Sequence, residues 1–255
     1  MKEYETFMET PIPPQRVKTW NWDESMKKKI EECGERLVPT SLVPDKILVS
    51  SQYFIQKIDG SLPECYVRET VHQKIVQAAK LLPSGYRFVM LDCWRPLSVQ
   101  QSLFDILKDD LKEKYPSESE EVITQKTLTY VALPSSNPVK PSPHNTGGAV
   151  DLTIVDENGL FLEMGTDYDD STLKASTTYF ENQLAEEVKL NSKEIEALKS
   201  RRMLYHIMTS VGFTNFVDEW WHFDYGNQNW AWISGNNHAI YGRMSPVFPW
   251  NKDIK

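Results

Sequence analysis

Apolar residues at Val71, Ile75, Ala78, Ala79 and Leu82 recur on one helical face, and Pro83 with Gly85 closes the segment. This spacing predicts a helix within 68–85. The next run, "YRFVMLDCW" (86–94), reads as a buried strand. "RPLSVQQSLFDILKDDLKEKY" then predicts a helix with Pro96 near its first turn. The clearest alternation is "AVDLTIVD" (149–156), a strand with Val150, Leu152 and Ile154 on one face and Asp151 and Thr153 on the other.

Other segments carry weaker signals. Residues 23–37 suggest a short helix with Asp23 as N-cap, and 46–55 suggest a strand from their β-branched and aromatic content. From 115 to 141 the chain is polar and proline-punctuated, a long excursion. A helix-rich stretch covers 181–211, and "GFTNFVDEWWHFDYG" reads as a strand pair or a strand and turn. Pro11, Pro13 and Pro14 make residues 1–22 an expected extended strap, and residues 226–255 an expected tail packed on the domain. Strands and helices mix without a regular βαβ rhythm, which implies an α+β fold with 1–255 as a single domain.

Composition narrows the function classes. The 255 residues are 40% hydrophobic and carry a formal net charge of -8. No basic run stands out to neutralise phosphates, so a nucleic-acid partner is not expected. No segment is apolar enough to serve as a signal peptide or to span a bilayer, so no membrane partner is expected. The three cysteines, Cys33, Cys65 and Cys93, are widely spaced and lack a CxxC pair. They read as reduced thiols and point to a cytoplasmic protein, with a processed periplasmic form as the alternative.

Candidate chemistry lies in three places: "SPHNTGGAVDLT" with His144 and Asp151, "EWWH" with Glu219 and His222, and "CWRP" with Arg95. Two imidazoles and a carboxylate meet the ligand count of a catalytic zinc that keeps one position for water. Glu219 could then serve as general base, but in extended chain positions i and i+3 face opposite ways, so a bend is required. Gly147 and Gly148 would let the loop turn His144 toward Asp151. Taken singly, each residue also has a plainer reading. A lone histidine is more often structural, an aspartate before a strand is often a turn residue, and Trp220 and Trp221 suit packing. His72, His206 and His238 have no acidic partner at ligand-like spacing and are assigned structural roles.

The set as a whole resembles the D-alanyl-D-alanine dipeptidase family. The family patterns Ser-x-His-x-x-Gly-x-Ala-x-Asp and Glu-x-Trp-His both stand complete here, with "DCWRP", "MGTDYD" and "YHIMTSVGF" beside them, over roughly residues 65 to 225. The resemblance implies one Zn2+ per chain held by His144, Asp151 and His222, in a central, mainly antiparallel sheet flanked by helices. It further implies Glu219 as the base acting on metal-activated water and Arg95 as the group stabilising the oxyanion. Asp169 would grip the substrate ammonium, with Asp170 an alternative and Asp167 a weaker one, and Ser142 would lie near the substrate. The substrate implied is the small dipeptide D-Ala-D-Ala. A zinc carboxypeptidase or endopeptidase acting on peptidoglycan stem peptides is the alternative, and a binding module with a purely structural metal is a third reading. The family also carries a substrate-facing tyrosine in its early strand region, and no residue of "KILVSSQYFIQ" is assigned to it.

Overall fold

The computed structural model describes residues 3–131, 133–135 and 137–247. Its first half runs α1 (Glu3–Glu9), α2 (Trp22–Ser25), β1 (Lys29–Ile30), β2 (Leu37–Pro39), β3 (Ile47–Val49), α3 (Gln52–Ile55), β4 (Tyr66–Arg68), α4 (Glu69–Ala79), β5 (Arg87–Asp92), α5 (Leu97–Lys114) and α6 (Glu120–Tyr130). The second half runs β6 (Ala149–Val155), α7 (Tyr179–Ala185), α8 (Ser192–Ser210), β7 (Thr214–Asn215), β8 (His222–Asp224), α9 (Gln228–Ser234) and β9 (His238–Ala239). A five-stranded sheet in the order β3-β5-β6-β8-β7 lies at the centre. Within this sheet β3 and β5 pair in parallel, and the other three pairings are antiparallel. The architecture is the α+β arrangement expected, with a mainly antiparallel sheet and helices around it.

Period-two alternation divides the sheet into two working faces. Phe88 and Met90 of β5, Val150, Leu152 and Ile154 of β6, and Phe223 of β8 enter the main core with α4 residues Val71, Ile75, Ala78 and Ala79. The opposite face carries Val89, Leu91 and Val155 under Leu48 and Tyr168. All seven residues of β6 are therefore buried, including the polar Asp151 and Thr153. Asp151 is not on a solvated face; something other than water must satisfy it.

Four expectations are corrected. Residues 3–9 are helical rather than extended, because Tyr4, Phe7 and Met8 fall at i, i+3 and i+4 and pack against the main core. The helix expected over 23–37 is only α2, capped by Asn21, whose side chain accepts from Glu24 N, rather than by Asp23. Apolar positions beyond it are too sparse for a helical face, and the chain instead donates β1 to β9 and β2 to β4. The strand expected over 46–55 ends at Val49, and residues 52–55 form the short helix α3, which buries Tyr53. The polar excursion contains α6, started by the Ser119 side chain accepting from Val122 N and tied to α5 by Lys108 and Lys112 on Glu120. In the expected tail, α9 and β9 occupy 228–239, while residues 248–255 lie outside the described residues.

The loop before β6 is fixed by its glycines. A 3-10 turn, Pro143–Thr146, ends at Gly147 with φ 70° and ψ 12°. A Cβ at Gly147 would lie 2.2 Å from Leu37 Cδ2, and one at Gly148 would lie 2.4 Å from the Tyr225 carbonyl oxygen. Buried Arg68 holds the same loop through Nε to the Thr146 carbonyl at 2.7 Å, with Nη1 on Glu32 at 2.9 Å. Gly147→Ala is expected to destabilise the protein by at least about 1–2 kcal/mol, the cost of a left-handed L-residue before any clash. A lowered urea midpoint is the readout; an unchanged midpoint would mean that the turn does not constrain the loop.

Candidate metal centre

Sheet register builds the site. Asp92 pairs with Asp151, and Asp151 pairs with His222, so three neighbouring strands place three polar side chains in one row. The register of β5 shifts between Met90 and Asp92, and this irregularity puts an acid opposite Asp151. His144 arrives from the 3-10 turn just before β6. All three of His144, Asp151 and His222 are buried, and one ligand atom from each lies within 4.8 Å of the others.

The atoms are arranged as a cation would require. His144 Nδ1 is 2.6 Å from the Cys93 carbonyl oxygen, which leaves Nε2 facing Asp151 Oδ1 at 3.6 Å. His222 Nδ1 is 3.0 Å from the same Asp151 oxygen. Yet, among the described residues, Asp151 Oδ1 has no aligned hydrogen-bond partner, although it is buried. A buried carboxylate oxygen facing two imidazole nitrogens without aligned hydrogen bonds is the donor set of a divalent cation. Burial pushes the Asp151 carboxyl up, but His144, His222 and Arg95 outweigh it and hold the group down at about 2. It is ionised and available. Two nitrogens and one oxygen at this spacing fit Zn2+ or a similar borderline metal.

Outer contacts orient these ligands. His222 Nε2 faces Asp224 Oδ1 at 3.2 Å, and Asp224 is itself fully buried and held by the side-chain amides of Asn227 and Asn229. A carboxylate behind a ligating histidine fixes the ring and raises its basicity. Glu219 sits in the turn just before β8, its Oε2 3.8 Å from His222 Nδ1. That turn supplies the bend that extended chain could not. Burial, with the charges of Asp151 and Asp169, raises the Glu219 carboxyl above its ordinary range against the pull of His222. Its side chain stays 36% open to solvent, and a cation among the ligands would lower its carboxyl again.

Arg95 follows the end of β5. Its Nη2 lies 2.8 Å from Asp92 Oδ2, Nη1 donates to Gln100 Oε1 at 2.8 Å, and Nη2 donates to Tyr53 OH at 3.1 Å. The guanidinium is thus aimed by three partners at the edge of the site. Asp169 lies on the far side of Tyr53, whose hydroxyl donates to Asp169 Oδ1 at 3.4 Å. The residue as a whole is exposed, but desolvation of its carboxyl, joined by the nearby charge of Asp151, lifts it above the ordinary carboxylate range. Asp170 instead accepts from the backbone and hydroxyl of Thr172, and Asp167 is exposed; neither is placed as Asp169 is. Ser142 is half-buried, two residues before His144, and its side chain makes no capping bond to the turn.

Tyr53, Tyr168 and Asp92 were not singled out from the sequence. Tyr53 sat within a segment read as a strand, and the short helix α3 is what turns it into the site. Tyr168 OH donates to Asp151 Oδ2 at 2.9 Å, a contact spanning 17 residues with no spacing signal. Of the remaining histidines, His206 Nε2 is 3.0 Å from the Thr10 carbonyl and His238 Nε2 is 3.6 Å from Glu31.

Comparison with known proteins identifies the family. A family model described as D-ala-D-ala dipeptidase, Peptidase_M15, matches residues 53–240. A D-alanyl-D-alanine dipeptidase of Synechocystis sp. is 32% identical over 237 residues, covering 84% of this chain and 94% of that protein. One from Escherichia coli is 27% identical over 61% of this chain and 62% of its own length. Another from Enterococcus faecalis is 32% identical over 54% of this chain and 62% of its own length.

Proposed function

Since the chain belongs to the Peptidase_M15 D-ala-D-ala dipeptidase family of metallopeptidases, we propose that it is a zinc dipeptidase hydrolysing D-Ala-D-Ala to two D-alanines. The observation that carries this reading is the buried, unpartnered Asp151 Oδ1 facing His144 Nε2 and His222 Nδ1. Zn2+ held by these three atoms would supply Lewis-acid polarisation and make water acidic enough to attack at neutral pH.

The chain's own residues do the rest. Glu219 takes the proton from the attacking water and delivers it to the leaving amine. Arg95, held in place by Asp92, Gln100 and Tyr53, keeps a permanent positive charge beside the reacting carbonyl, where an oxyanion develops. Asp169 pairs with the free ammonium of the dipeptide, and Ser142 offers a hydroxyl to the substrate beside the His144 turn. A substrate with a blocked amino end leaves Asp169 facing an uncharged group, which costs affinity and rejects longer peptides.

Comparing D-Ala-D-Ala with its N-acetylated form tests the assignment. The free dipeptide is expected to be cleaved with the higher kcat/KM, and activity should disappear on chelation and return with zinc. Preference for the acetylated form would instead mean a carboxypeptidase or endopeptidase acting on stem peptides. Alanine release that survives metal removal would end the metallopeptidase chemistry proposed for these residues.

A further inference from the structure

Asp151 has two oxygens with different fates. Oδ1 is buried and unpartnered, while Oδ2 accepts the Tyr168 hydroxyl at 2.9 Å. Tyr168 cannot reorient easily. Its ring packs edge-on against buried Trp221 with centroids 5.4 Å apart, and its oxygen lies 3.2 Å from Tyr53 OH. The next residue, Asp169, has φ 60°, a left-handed conformation that costs a non-glycine residue roughly 1–2 kcal/mol. That backbone turn lets adjacent side chains serve two places at once, Tyr168 on Asp151 and Asp169 beside Tyr53.

We propose that Tyr168 is a positioning residue for the metal-binding carboxylate, holding Asp151 monodentate by occupying the oxygen that would otherwise join the coordination sphere. This inference rests on the metal site proposed above. A carboxylate with both oxygens free can chelate a cation and fill the position that a catalytic site keeps open. With Oδ2 engaged by a phenol, only Oδ1 points at the imidazoles. Each tyrosine hydroxyl has one proton to give. Tyr168 spends its proton on Asp151, and Tyr53, which receives one from Arg95, can turn its own toward Asp169. Arg95, Tyr53 and Asp169 thereby form one hydrogen-bonded chain that joins the groups proposed for oxyanion stabilisation and ammonium binding, while Tyr168 serves Asp151.

Tyr168→Phe tests this while keeping the ring against Trp221. Zinc affinity, measured by competition with a chromophoric chelator, is expected to fall by roughly 10–100-fold, the usual effect of losing an orienting partner. The cobalt(II)-loaded variant is expected to show weaker visible absorption than wild type, as coordination number rises when Asp151 becomes bidentate. Tyr53→Phe removes the neighbouring hydroxyl and leaves the Tyr168 bond, so its zinc affinity and cobalt spectrum should match wild type. Unchanged zinc affinity in Tyr168→Phe would overturn the proposal. So would weaker binding with an unaltered cobalt spectrum, or an equal loss in Tyr53→Phe, because either means general loosening of the pocket. Failure of the wild-type protein to bind zinc would instead remove the metal site itself.

Discussion

Glu219→Gln is expected to lose D-Ala-D-Ala hydrolysis by about 10²–10⁴-fold while retaining its full zinc content, since a positioned general base contributes on that order. The substitution keeps the size of the side chain and removes its negative charge together with its capacity to accept a proton. Glu219 lies in the turn before β8 rather than in the ladder, and its Oε2 approaches His222 at 3.8 Å, outside the three-atom ligand cluster. Metal retention and loss of turnover should therefore separate. Steady-state kinetics and metal analysis on the same preparation check this. Activity within a fewfold of wild type would remove Glu219 from the proton transfer and leave solvent or another group in that role.

The second large effect concerns the ligands. Asp151→Ala is expected to weaken zinc binding by more than the roughly 10–100-fold that follows loss of an orienting partner, because it deletes the carboxylate on which both histidines converge. Thermal unfolding gives an independent readout. Free zinc at about 100 times Kd should stabilise wild type by about 2.7 kcal/mol through mass action. The Asp151→Ala protein should show almost none of that shift at the same zinc concentration. Equal zinc-dependent stabilisation in the two proteins would place the cation elsewhere.

Which parts were legible in the sequence follows from how local each cause is. The strict alternation of 149–156 set the face of Asp151, and the four apolar positions Val71, Ile75, Ala78 and Ala79 set the buried face of α4; both depend on neighbours in the chain. Gly147 likewise revealed a turn, because only its own backbone had to be left-handed. The helix α1 is also written locally, in Tyr4, Phe7 and Met8, but the prolines that follow it carry the stronger local signal, for an extended chain. Helix α6 gave little apolar stripe to detect. It is held by the Ser119 cap, by buried Ile123 and by Lys108 and Lys112 of α5, twelve and eight residues before their partner Glu120.

The site divides the same way. His144, Asp151, Glu219 and His222 stood out because their motifs are compact. Their convergence, however, depends on cross-strand register, which pairs residues 71 positions apart in the case of Asp151 and His222. Asp92, Tyr53 and Tyr168 acquire their roles from a register shift in β5, a one-turn helix after β3 and a left-handed residue at 169. None of these announces itself in residue type. The orienting Asp224 was equally hidden, since "WHFD" shows only alternation, and the Asn227 and Asn229 amides that hold it come from the following cap and helix.

Crystals of the zinc-loaded protein measured on both sides of the zinc absorption edge address the coordination directly. A single anomalous peak per chain should lie about 2.0–2.2 Å from His144 Nε2, Asp151 Oδ1 and His222 Nδ1, with one position open to solvent. Should the peak fall away from these atoms, or a fourth protein side chain close the sphere, the site would be a structural one and the catalytic assignment of Glu219 and Arg95 would not stand.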